Sequence, residues 1–481
     1  MLKKIAILFL LAPVITLAVN LGGYYEIQTR VTEDGVWQLF EPSHRFELKL
    51  YSSPWNNTEG FFKLHGELSR LQDNDAERVL REYTLLEGHL KYRWEKHFEV
   101  KLFTRQNSYW FPQVFELVNS DKMTGDGNSQ GIRTDFWNLG PVHGVGIYSD
   151  FSGSTGEDAS VLNINVPFWD NRIKIGSTAG RKDWGETTSD YNSFVAGDAY
   201  LSLGRIIKPL SSLGNIDITG QLVQSRVAGE SDSTDDIAWL AEIRQLKLGP
   251  IELQASYHHY GADFRSYLSN QFDTDQKYNE DGLYLKSLYF FPTKAINLTA
   301  SYSETRAPEN RTVHITDINP EKTNREVFGE AYIEWVYDIK TRFYYKYYRG
   351  WDSNYGDYKT YPSIFGELSV ENNLAKIRSQ VKVKDIGTPY QIIATGVELN
   401  VNITDDLKLY ARAINAMERY ESRQTVFIQL RYDRFQPAEI FLEFGNPGDS
   451  DNDLTNDDDF VSESANHGVN KQVKLFVKVY F

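Results

Sequence analysis

Cysteine is absent from all 481 residues. Disulfides, thiolate metal sites, attached c-type haem and a lipid-modified N-terminal cysteine are therefore excluded. Long apolar runs are missing as well: beyond residue 18, no stretch approaches the roughly eighteen apolar residues that a membrane-crossing helix needs. Positive charge is in deficit, with 51 Lys and Arg against 66 Asp and Glu and a net charge of −15, which argues against a nucleic-acid partner. What the chain has in quantity is aromatic surface: 30 Tyr, 27 Phe and 10 Trp, or 14% of its residues. A mean hydropathy of −0.48 fits strands that are wet on one side and joined by polar loops.

The last eleven residues, Lys471 to Phe481, alternate in character. Val473, Leu475, Val477, Val479 and Phe481 share one face of an extended strand, and Gln472, Lys474, Phe476, Lys478 and Tyr480 the other, because a period of two sends neighbours to opposite sides of a sheet. One face suits lipid; the other, Phe476 apart, suits water. A chain that stops on an aromatic residue after such a strand resembles the outer-membrane β-barrels of double-membraned bacteria. That resemblance implies that Val477, Val479 and Phe481 form the signal read by the barrel-assembly machinery. It reaches the class and no particular family. At the other end, Lys3 and Lys4 precede an apolar run from Ile5 to Leu17, and Thr16 and Ala18 supply small residues for cleavage. Residues 1–18 read as a secretory signal peptide, too short for a spanning helix with ordinary flanks, and residues 19–481 as the mature barrel.

Strand-like segments recur from Gly22–Arg30 to Lys471–Phe481, about 24 in all within a range of 18–26. Each has the length that crosses a bilayer at a tilt. Connections after even-numbered segments are mostly tight, as at Glu95-Lys96, Trp169-Asp170, Leu248-Gly249 and Thr404-Asp405; those after odd-numbered segments include the long stretches 106–130, 261–280, 305–324 and 447–470. The expected fold is therefore all-β: a single transmembrane antiparallel up-and-down barrel with short periplasmic turns and long extracellular loops. Within a segment, Leu407, Leu409, Ala411 and Ala413 oppose Lys408, Tyr410 and Arg412. A charge facing mid-bilayer costs about 2–4 kcal/mol, so the charged face looks into the lumen. A secreted β-propeller is the competing arrangement, but no blade motif repeats and the terminal aromatic strand is then unexplained.

Several lumen features follow. Lys376, Arg378, Lys382, Lys384, Lys408, Arg412, Arg431, Lys474 and Lys478 make the C-terminal wall basic, and Glu326, Glu330 and Glu334 make one middle strand acidic. Such walls tune solute selectivity, here toward a mild anion preference, unless they only form solvated salt bridges. In the third long loop, Trp110, Phe111, Phe115 and Leu117 are too apolar for a fully solvated segment, and 113–119 suits a short helix. Solute-diffusion porins fold their third external loop inward as a constriction, and this segment is similar in position; packing against other loops outside is the alternative. Asp449, Asp451 and Asp453 sit at alternate positions, as Ca²⁺ ligands do. Leu454 and Phe460 nevertheless occupy the places of the required Gly and bidentate Glu, so Ca²⁺ is at most a weak ligand and no other cofactor is expected. None of the nine His lies in a catalytic signature; His258 and His259 point to opposite faces.

The first strand begins almost at the expected cleavage point, which leaves no room for an N-terminal plug and disfavours the active-transporter class. A plugless barrel this wide leaks unless something narrows it. The expected function is a porin-type, non-enzymatic channel for small hydrophilic solutes, in contact with outer-membrane lipid and lipopolysaccharide. A scaffold around a lumenal or periplasmic protein partner, in an export or electron-conduit assembly, is the alternative.

Overall fold

A computed structural model describes residues 19–31, 37–53, 55–73, 76–104, 115–119, 130–150, 157–184, 190–229, 233–269, 271, 279–291, 295–307, 323–335, 338–352, 357–418, 421–445, 460–463 and 472–481. The strands are β1 Val19–Val31, β2 Trp37–Ser52, β3 Thr58–Asp73, β4 Ala76–Trp94, β5 Phe98–Thr104, β6 Gln130–Leu139, β7 Val142–Asp150 and β8 Asp158–Phe168. They continue as β9 Ile173–Asp183, β10 Tyr191–Ser202, β11 Asp217–Ala228, β12 Ser233–Leu248, β13 Ile251–Tyr260, β14 Glu280–Phe290, β15 Ile296–Arg306 and β16 Thr323–Glu334. The last eight are β17 Ile339–Asp352, β18 Asp357–Glu371, β19 Ala375–Lys384, β20 Ile392–Thr404, β21 Leu407–Glu418, β22 Glu421–Tyr432, β23 Ala438–Gly445 and β24 Val473–Tyr480.

All 24 strands join one sheet. Each pairs antiparallel with its sequence neighbours, and β24 closes on β1 with Tyr24 opposite Tyr480 and Val31 opposite Val473. Closure leaves no unpaired edge. Backbone bonds extend the seam past the last strand, since Gly23 N–H donates to the Phe481 carbonyl at 3.0 Å and Phe481 N–H to the Gly23 carbonyl at 3.2 Å. The count and the up-and-down order match the sequence-based reading.

The alternation of side chains decides which face is which. On β10, Phe194 is 2% exposed, Val195 61% and Ala196 1%. Leu102, Leu162, Ile175, Leu222, Leu285 and Val397 are likewise exposed on their strands. Along the middle of the strands, large apolar groups are thus outside and most charged ones inside, which is stable only where the outer medium is hydrocarbon. Trp55, Trp94, Trp169, Trp335 and Phe435 ring the short-turn end and are all exposed, as interfacial aromatics are. This is the fold of the outer-membrane β-barrels.

Turn chemistry positions the strands. Gly140 and Gly249 have φ of +67° and +65°, a region glycine enters without a Cβ clash, and each sits in the tight turn after an even-numbered strand. One connection at this end departs from the expected pattern. Between β10 and β11 the chain forms a helical turn α1, Leu203–Ile206, and a 3-10 turn, Lys208–Leu213. Pro209 at the start of the second turn has no N–H for a ladder and carries a preset φ. β2 pairs Trp37–Leu39 with β1 beyond a register shift between Ile27 and Thr29.

Candidate functional site in the barrel lumen

The lumen wall is not uniformly polar. Toward the long-loop end, Ile147, Val161, Phe194, Ala196, Val223 and Ala238 of β7, β8, β10, β11 and β12 face inward and are buried. These strands are apolar on both faces at this height, so a water-filled lumen here would wet apolar surface at about 25 cal/mol per Å². Two loop segments cover it instead. Phe115, Leu117 and Val118 come from the loop after β5, and Phe264 and Leu268 from the loop after β13; all five join the same apolar cluster.

Hydrogen bonds fix both segments. Phe115 N–H donates to Gln221 Oε1 at 2.7 Å, Asn119 N–H to the Leu268 carbonyl at 2.7 Å, and Ser266 Oγ to the Leu117 carbonyl at 2.7 Å. Asn192 on β10 takes Tyr267 N–H on its Oδ1 at 2.9 Å and gives its Nδ2 to the Arg265 carbonyl at 3.2 Å. Asp236 on β12 accepts Asp263 N–H at 2.7 Å. Buried backbone groups must be satisfied, and here the wall satisfies them. For the same reason the short helix expected over 113–119 does not form across 115–119: amides that would bond along a helix bond to the wall and to the second segment. Phe115 and Leu117 pack both on the inward wall residues and on the 261–269 loop segment; Trp110 and Phe111 lie outside the described residues.

A third insertion comes from the last long loop. Helical turn α2, Phe460–Glu463, places the fully buried Phe460 and Val461 against β19 and β20. The Phe460 ring centroid is 5.1 Å from the guanidinium of Arg378 and 5.3 Å from that of Arg412. Gly396 makes room: a Cβ there would come within 2.6 Å of the Phe460 ring and 2.9 Å of Val461.

All nine basic residues read from the sequence sit on the lumen face, threaded with carboxylates from neighbouring strands. Arg412 pairs with Glu398 at 3.2 Å, Arg378 with Glu398 at 3.5 Å and Glu367 at 3.8 Å, Lys408 with Asp433 at 3.4 Å and Lys474 with Glu443 at 3.8 Å. Arg431 bonds to Glu439, Lys376 stands opposite Glu371, and Lys384 pairs across the strands with Ile392. Lys382 and Lys478 lie over the Tyr344 and Tyr24 rings, at 5.9 and 3.9 Å. The acidic strand is compensated in turn, Glu326 by Lys346 at 2.8 Å and Glu330 by Arg342 at 2.7 Å. Glu334 is exposed near the turns and accepts the Tyr332 hydroxyl at 3.2 Å.

On β13, His258 points inward to Glu280 at 2.8 Å and His259 outward to Asp281 at 2.7 Å. Asp449, Asp451 and Asp453 lie outside the described residues, as does the segment 1–18. Among the described residues no group of three or more His, Asp or Glu is placed to hold a metal ion. Val477 and Val479 of the expected assembly signal lie on the outer face of β24, and Phe481 is half-exposed beyond it.

Neither a protein-family model nor a curated protein sequence matches this chain. Solved structures do. The P pilus usher (PapC) translocation pore is 9% identical, with a TM-score of 0.50 over 96% of this chain and 99% of that one. A chain of the E. coli P pilus tip assembly intermediate PapC-PapD-PapK-PapG gives 10% identity and a TM-score of 0.60, over 96% of this chain and 60% of that one. The siderophore receptor PirA from Pseudomonas aeruginosa gives 8% identity and a TM-score of 0.50, over 96% and 80%. At such identities the likeness is one of fold.

Proposed function

We propose that the protein is a channel of the bacterial outer membrane, with its long loops outward, through which small hydrophilic solutes diffuse passively. The observation that carries this reading is the pair of loop segments bound to an apolar lumen wall, Phe115–Leu117 and Phe264–Leu268. A wall shaped to receive the chain's own loops favours a lumen that is narrowed from within. What is left for solute is lined by paired charges, so selectivity rests on width first and on charge second. A mild anion preference is assigned to Lys376, Lys382 and Lys384, where basic residues are densest. We infer no enzymatic role and no resident cofactor.

Swelling of liposomes in sugars of graded size tests the proposal. Purified protein is expected to admit monosaccharides and to exclude larger oligosaccharides, without any partner. No swelling with any sugar, together with a second protein that co-purifies in the lumen, would replace this reading with that of a scaffold.

A further inference from the structure

We propose that the outer face of β13–β17 holds a phosphate-bearing lipid of the leaflet at the long-loop end. Two features meet there. The first is a hollow of about 550 Å³ on the hydrocarbon side, framed by Ile243, Leu253, Leu285, Tyr302 and Val327 and floored by Ala255, Ser287 and Ala300. Ser287, Ala300 and Gly329 are consecutive partners across β14, β15 and β16, so three small side chains in a row recess the surface. Its size is that of a ligand cleft, and its apolar frame suits acyl chain.

The second feature stands directly above, toward the loops. Arg325 precedes Val327 by two positions on β16, about 7 Å at the rise of a strand. It is directly opposite Arg349 on β17. Like charges facing each other across a ladder, with Cβ atoms about 5 Å apart, destabilise a sheet, so the pair is explained best by an anion that bridges it. Arg306 adds a third guanidinium one strand away. The carboxylates nearby do not cover the set. Glu304 takes Arg325 at 2.8 Å, and Asp281 is shared between Arg306 at 3.3 Å and His259 at 2.7 Å. Among the described residues Arg349 has no carboxylate partner; its guanidinium lies 4.4 Å from the centroid of the Tyr358 ring. Arg325 and Arg306 side chains are 47% and 59% exposed. Guanidinium forks bind phosphate oxygens in pairs. Trp351 and Tyr358, with ring centroids 5.5 Å apart, supply aromatic surface at the headgroup level.

Native mass spectrometry of the detergent-solubilised full chain tests this, with bis-phosphorylated lipid A as probe, phosphatidylcholine as the neutral lipid and inorganic phosphate as the headgroup alone. Wild type is expected to retain one lipid A and neither control. R325Q/R349Q should weaken lipid A binding about tenfold or more, the scale of two lost charge-assisted bonds. A300F, which fills the hollow and leaves the arginines in place, should weaken it as well. Heat-modifiable migration on gels checks that each variant is a folded barrel. Equal retention by wild type and R325Q/R349Q, or equal retention of phosphatidylcholine, overturns the proposal. Loss in R325Q/R349Q with full binding by A300F, or binding of inorganic phosphate alone, overturns the acyl-chain half and reduces the site to an anion patch.

Discussion

Docking of the 261–269 segment in the lumen can be measured without a channel recording, because the chain has no cysteine. Ala262 is 3% exposed and Phe264 0% exposed. An Ala262→Cys chain therefore carries a single thiol that reacts with a soluble maleimide only when the segment lifts off the wall. Removing the Phe264 ring forfeits its transfer energy and leaves a cavity in the apolar cluster it shares with Val223 and Phe194, about 3–5 kcal/mol for a buried Phe→Ala change. At about 1.4 kcal/mol per tenfold, the lifted population rises on the order of 100-fold to 4,000-fold in the Phe264→Ala background. The labelling rate of the thiol introduced by Ala262→Cys should rise with it until lifting saturates, since modification of a transiently opened site follows the open population. Ile207→Cys, on the exposed turn between β10 and β11, serves as the fully reactive reference. Docking of the segment is ruled out if Ala262→Cys alone already labels as fast as Ile207→Cys, or if adding Phe264→Ala leaves its rate unchanged.

Other consequences follow from the same geometry. Glu398 carries Arg412, Arg378 and the Tyr410 hydroxyl, so Glu398→Gln leaves two buried guanidiniums undercompensated; a loss of about 3–5 kcal/mol is expected from urea unfolding in micelles, and a midpoint equal to that of wild type contradicts it. Phe460→Ala should raise single-channel conductance by loosening α2 from β19 and β20, with no change in unfolding midpoint comparable to that of Glu398→Gln. Lys376→Glu should move the reversal potential in a salt gradient toward cations; a shift toward anions refutes the wall assignment. Phe481→Ala removes a side chain that is 51% exposed, so refolding in detergent should be nearly unaffected while insertion by cellular assembly machinery falls.

Strand number, order and facing were legible in the residues because most strands alternate and most connections after even-numbered strands are short. Lys408, Tyr410 and Arg412 against Leu407, Leu409 and Ala411 need no partner to be read. The lumen inserts were only half legible. Phe115 and Leu117 stand out as apolar residues in a polar loop, and Phe264 and Leu268 carry the same signal in the loop after β13. What hid their destination is that Val161-Leu162 and Phe194-Val195-Ala196 are apolar on both faces, a pattern that breaks the rule of a wet lumen and marks where something must cover the wall. Charge compensation was illegible for another reason. Glu367 and Glu398 meet Arg378 only once strand register is fixed, and register is a property of neighbouring strands rather than of any one segment. The outward arginines Arg325 and Arg349 share that origin.

A conductance comparison tests the central claim most directly. Wild type and a variant lacking residues 262–278, the loop whose Phe264 and Leu268 line the lumen, are recorded singly in planar bilayers. Small, stable steps are expected from wild type and clearly larger steps from the shortened chain, with both proteins folded. Steps of the same size from the two proteins would contradict the claim, because the lumen would then be set by something other than its own loops.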